Sequence, residues 1–246
     1  MKARHVLSVA LSALGMGFGV TQAATYTLDF SGNICGASGD QACSNNSIIG
    51  ASYGSLDGTL DVSYKSIVAS TNQVALDALY YWEASYSDLT GVAWAGNSAG
   101  SHYVEITFAP LAGQNVTLLG FDFGDYANRN TGSSVAILDA STREVLWNGG
   151  GFDPGPTASS FSLNVSSANG LILQWGADVY NVGIDNIRYS VTAVPEPESL
   201  ALAAAGLLVA GLAARRQRRQ GGHQPAGRPH KPPCPHAHTS SHSRRM

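Results

Sequence analysis

Between residues 26 and 191 apolar and polar side chains alternate in short runs, and clusters of Gly, Asn, Asp and Ser separate the runs. A period of two belongs to a strand whose two faces meet different surroundings, and a helix cannot satisfy it. The runs fall at 26–30, 59–68, 74–83, 102–109, 116–123, 134–139, 144–147, 161–165, 171–175 and 183–191. In the fourth, Val104, Ile106 and Phe108 point one way and Tyr103, Glu105 and Thr107 the other. One apolar face per strand is what antiparallel sheets packed on one another require. The expected fold is therefore all-β, an antiparallel β-sandwich of jelly-roll type, with a weak helical period only at 76–86.

Charge is segregated along this chain. Residues 25–194 hold fifteen Asp or Glu against four basic residues, Lys65, Arg129, Arg143 and Arg188, a net of −11, although the whole chain carries only −3. A field of that sign repels phosphate backbones, which sets nucleic acid aside as a partner and favours solubility and divalent cations. Cys35 and Cys43 bracket a short Gly- and Ser-containing loop. In an oxidising compartment the default for such a pair is a disulfide, and no neighbouring His or Cys completes a tetrahedral metal site.

The two ends specify that compartment. Lys2 and Arg4, an apolar stretch over 6–20 and a small residue at position 23 make residues 1–23 a signal peptide, cleaved by signal peptidase after Ala23 or Ala24. The β-sandwich then occupies 24–193 as an ectodomain. Beyond it come Val194, Pro195, Glu196 and Pro197, an apolar stretch over 200–214, and the cluster Arg215, Arg216, Arg218 and Arg219. As a helix, 199–214 would be about 24 Å long, somewhat less than the roughly 30 Å hydrocarbon core, a gap that snorkelling arginines close. One C-terminal transmembrane helix is expected there, with the arginines held in the cytoplasm and the β domain outside. Residues 220–246 are rich in Pro, His, Ser and Arg and are expected to be disordered; His230, Cys234, His236 and His238 would be the ligands of a soft metal, against the plainer reading of a solvated tail.

The order Val194-Pro195-Glu196-Pro197, apolar span, arginine cluster resembles the PEP-CTERM sorting signal. That resemblance implies recognition by exosortase, a membrane-embedded transpeptidase-like enzyme of Gram-negative bacteria, with processing near the Pro-Glu-Pro element. It also implies an inner-membrane intermediate with its ectodomain in the periplasm, then a place at the cell surface or in the extracellular matrix, among exopolysaccharide and biofilm. Members of that family end soon after the basic cluster, whereas this chain continues. Residues 52–64 and 182–190 are similar to ectodomains found with this tail, and the second stretch also resembles the closing strand of jelly-roll carbohydrate-binding modules.

Catalysis finds little support. Gly96-Asn97-Ser98-Ala99-Gly100 fits G-x-S-x-G, but a nucleophile elbow needs a strand before it and a helix after it, and His102 follows only four residues after Ser98 in a strand-like run. Asp122, Asp125, Asp139, Asp153, Asp178 and Asp185 could supply a glycosidase pair, yet many sit beside Gly or Asn as turn formers. The protein is expected not to be an enzyme. Asp185, in Gly-Ile-Asp-Asn, is the candidate ligand of a structural calcium ion, against a local role in satisfying backbone groups. Tyr80, Tyr81, Trp82, Trp94, Trp147 and Trp175 are the candidate aromatic platform for a polysaccharide, against a place in the core. The leading reading is a non-enzymatic envelope or matrix protein; a carbohydrate-binding module and a secreted hydrolase are the alternatives.

Overall fold

A computed structural model of the protein describes residues 23–97, 101–129, 131–194 and 197–220. The chain divides into two compact units, one running to Pro195 and the other starting at Glu196. The expected leader and the tail beyond residue 220 lie outside the described residues, as do Ser98 to Gly100 of the G-x-S-x-G sequence.

Unit one is built from two antiparallel six-stranded sheets. The first contains β1 (Ala24–Leu28), β4 (Tyr80–Trp82), β5 (Val92–Trp94), β7 (Gln114–Asp125), β10 (Ser159–Ser167) and β12 (Val182–Ala193). Its order is β10-β7-β12-β5-β4, with β1 also paired to β12. The strand β12 is thus central: β7 lies along one edge, while β5 at Ile184 and β1 over Ile187 to Val191 share the other. The second sheet contains β2 (Leu60–Val68), β3 (Gln73–Leu76), β6 (His102–Pro110), β8 (Ser133–Asp139), β9 (Val145–Phe152) and β11 (Leu171–Ala177), in the order β3-β2-β6-β11-β8-β9.

The expected alternation sets the layers. Val104, Ile106 and Phe108 of β6 are fully buried, as are Leu171 and Leu173 of β11, and they share one apolar core with Leu118, Phe121 and Phe123 of β7 and Ile184 and Ile187 of β12. Two such inner faces packed on each other make a β-sandwich. Buried tyrosines satisfy their hydroxyls on the way: Tyr64 donates to the Tyr53 carbonyl at 2.6 Å and Tyr189 to that of Gly54 at 2.8 Å. Both bonds pin the long segment 29–59 over the core.

Two expectations need correcting. The run 74–83 is not one strand: fully buried Leu79 turns into the core, so β3 joins the second sheet and β4 the first. No helix forms over 76–86, and β5, three residues long, was not expected.

Unit two, as described, is the helix α1, Pro197–Gln220. It starts earlier and ends later than the expected 199–214, because proline suits the first helical position and the Arg and Gln residues after Ala214 are good helix formers. Among the described residues no helix is long and apolar enough to cross a membrane. The expected transmembrane span is therefore not found as such, since the apolar stretch 200–214 is short and mostly Ala and Gly. Its larger side chains are nonetheless bare: Leu202, Leu207, Leu208, Val209 and Leu212 are 66–75% exposed.

Candidate functional site

The sorting residues follow directly on the end of the sheet. The last bond of unit one is the Val194 amide donating to the Gly113 carbonyl at 2.8 Å, and the Val194 side chain is exposed. Pro195 and Glu196 lie outside the described residues, and Pro197 opens α1. Arg215 and Arg216 are exposed on that helix; Arg218 and Arg219 belong to its last turn. Sheet pairing thus stops at Ala193, immediately before the element that a processing enzyme would have to grip.

Cys35 and Cys43 form a disulfide. The bond lies in segment 29–59, where Cys35 also bridges Gln41 and Ile49 through backbone pairing. Regular pairing is sparse here, so the covalent link and the tyrosine bonds take the place of a ladder.

Asp185 sits on β12 opposite Asp122 of β7, just before a register shift, and only 4% of it is exposed. Its carboxylate accepts a hydrogen bond from the Asn186 amide at 2.7 Å. Burial, together with the negative charges of Asp29 and Asp122, pushes its pKa up to about 7, so it tends to keep its proton. Among the described residues no group of three or more His, Cys, Asp or Glu converges so as to hold a metal ion. Two other candidate carboxylates, Asp139 and Asp178, are engaged in turns. Asp139 accepts from the Ser141 hydroxyl and amide and the Thr142 amide, which with Ser167 and Asn169 hold its pKa well below the usual carboxylate range. Asp178 accepts from the Asn181 amide at 3.0 Å and from its side chain at 2.7 Å.

The expected aromatic platform is divided between two cores. Trp175 is 1% exposed and donates its indole N–H to the Val182 carbonyl at 3.1 Å, while Trp147 packs edge-on to Phe161 against the main core. Trp82 and Trp94 join Tyr80, Tyr86, Tyr126 and Tyr180 in a separate cluster beside the edge strand β4. Interplanar angles of 81° for Trp82–Trp94, 87° for Trp82–Tyr126 and 86° for Trp94–Tyr180 show rings spending their faces on one another's edges. Rings of this cluster line a pocket of about 40 Å³.

The larger concavity is elsewhere, on the outer face of the second sheet. A groove of about 300 Å³ crosses β6, β11, β8 and β9, and Tyr103, Ser134, Ala136, Asn148, Gln174 and Gly176 are among the residues that line it. The strand register explains the groove. Tyr103, Gly176 and Ser134 lie in one row across the sheet, and Glu105, Gln174, Ala136 and Asn148 in the next. Gly176, Ser134 and Ala136 leave a floor, and Tyr103, Gln174 and Asn148 are the larger side chains around it. The close approach of β6 requires glycine at 176, where an added Cβ would meet the Tyr103 Cβ at 2.8 Å. Below one wall, buried Glu105 is gripped by both guanidinium nitrogens of Arg143 and by the Gln174 amide, which donates at 2.9 Å. The period of two puts Tyr103 and Glu105 opposite Val104, Ile106 and Phe108, but it does not show the neighbours that three further strands bring to them.

The PEP-CTERM protein-sorting motif matches residues 193–219. No curated protein is significantly similar to the chain. Among solved structures, the isomalto-dextranase of Arthrobacter globiformis T6, complexed with panose, is similar over 69% of this chain at 10% identity. The match spans only a third of that protein, 33%, with a TM-score of 0.31, too low to carry an argument.

Proposed function

From a chain that carries a PEP-CTERM protein-sorting motif over residues 193–219, we infer an exported, non-enzymatic envelope protein that exosortase sorts and processes, and that works in the matrix of exopolysaccharide outside the cell. The observation that carries this reading is the junction at Ala193–Val194. A sandwich complete in its own core stops there, and the sorting motif begins without intervening structure. Signal peptidase would free the N-terminus near Ala24, where β1 begins. The helix α1 would hold the inner-membrane intermediate: its bare leucines favour lipid, its short apolar stretch is extended by arginines whose stems snorkel, and the positive end stays cytoplasmic.

Two sets of substitutions separate anchoring from processing. Replacing Pro195, Glu196 and Pro197 with alanine leaves the apolar stretch intact and is expected to block processing while preserving membrane retention. Neutralising Arg215, Arg216, Arg218 and Arg219 is expected to weaken retention. Tags after Ser190 and after Arg219, followed on immunoblots of membrane and released fractions in a host with an exosortase, report both. Processing of the triple-alanine variant at the wild-type rate would leave an ordinary tail anchor as the better account. Turnover assays on glycosides and esters test the non-enzymatic part, and sustained activity would overturn it.

A further inference from the structure

We propose that the groove across β6, β11, β8 and β9 binds a segment of neutral polysaccharide. The inference deepens the matrix reading above, by giving the sandwich a contact of its own with the polymer.

Three features of the groove select that ligand. Its floor is Gly176, Ser134 and Ala136, side chains too small to interrupt a flat chain of sugar rings lying across the sheet. One wall is Tyr103, anchored at its hydroxyl by donation to Asn72 Oδ1, so the ring is held in place at little further entropic cost on binding. The polar groups come in the mixed donor and acceptor form that hydroxyls need. Ser134 donates to the Gly176 carbonyl at 2.8 Å and keeps its oxygen lone pairs; Gln174 donates through its nitrogen to Glu105 and keeps its carbonyl; Asn148 accepts from the Gly150 amide at 2.9 Å and keeps its amide nitrogen.

Charge narrows the class further. Glu105 and Arg143 are spent on each other in a forked pair, so the groove presents no unopposed ion. The surrounding residues 25–194 carry fifteen acidic against four basic residues, which repels uronic-acid polymers and nucleic acids alike. An apolar peptide segment would find no deep pocket to fill. At about 300 Å³ the groove lies at the lower end of the range of small-ligand sites, enough for one or two hexose units of a longer chain.

The test is affinity electrophoresis of the full chain in mild detergent, through gels containing dextran, soluble starch, hydroxyethylcellulose or alginate. At least one neutral polymer is expected to retard the protein, and alginate is not. Tyr103→Ala and Ala136→Leu, which remove the wall and fill the floor, are each expected to weaken retardation about tenfold. Tyr103→Phe should retain most of it, and Trp82→Ala, in the aromatic cluster beside β4, should not weaken it. Far-UV circular dichroism of each variant confirms that the sandwich persists. Retardation by alginate alone, by no polymer, or equally in wild type and in both groove variants overturns the proposal. These outcomes are independent of processing: a chain cut normally but never retarded fails only here, and one retarded but never cut fails only the sorting reading.

Discussion

The sandwich and the helix α1 spend their apolar side chains in opposite ways. In the sandwich Phe121, Phe123, Ile106 and Leu173 have no exposed surface, whereas in the helix Leu202, Leu207 and Leu212 are at least two-thirds exposed. At about 25 cal/mol per Å² of buried apolar area, the first arrangement stabilises itself and the second leaves comparable free energy for some other medium to supply. The difference is in keeping with the anchoring role proposed for α1, and it can be attacked from either side.

The largest effect is expected from the sandwich core. Phe123→Ala removes a ring packed at 4.6 Å from Phe152 and 5.6 Å from Trp175 and should cost about 3–5 kcal/mol in urea unfolding. Leu207→Ala in α1 should leave that unfolding transition unchanged and instead reduce the membrane-bound fraction. A Leu207→Ala variant that destabilises the sandwich would erase the distinction between the units.

A smaller loss should follow from opening the disulfide. Cys35→Ser with Cys43→Ser removes a short loop closure in segment 29–59, expected to cost about 2–3 kcal/mol of stability, measured under non-reducing conditions. Unchanged stability would mean that the tyrosine bonds alone hold the segment.

A further effect is expected in pH. Folding raises the Asp185 pKa from 3.8 to about 7, so between those values the unfolded chain has released a proton that the folded one keeps. Stability should therefore fall as pH rises from about 4 to 7, and Asp185→Asn should flatten that slope, as followed by Tm. EDTA is expected to leave the Tm unchanged; a drop on chelation would restore a structural calcium ion.

Much of the sandwich was legible because a half-buried strand writes its burial into the sequence at a period of two, as in 102–109 and 116–123. The run 74–83 misled because apolar residues continue through Ala78 and Leu79, and only the third dimension shows the chain changing sheets there. The three residues of β5 were too few to show a period at all. At the C-terminus, the expected helix over 199–214 left out Pro197, although proline is at home in the first turn of a helix. The sorting motif was legible in full, since its parts are contiguous. The groove was not, because Tyr103, Gln174, Ser134 and Asn148 come from four strands whose neighbours are set by pairing order. The packing of the aromatic residues was hidden for a related reason: composition counts rings, but it does not say whether their faces point outward or into one another.

The central place of β12 carries a consequence for how the protein crosses a membrane. Its neighbours β7, β5 and β1 cannot be joined into one sheet until residues 182–193 arrive, and these are the last before the sorting motif. A chain threaded N-terminus first would therefore stay pliable through transport and close its first sheet only when nearly all of it has emerged. Maturation of the fold and exposure of the processing element would then be timed by the same stretch of polypeptide.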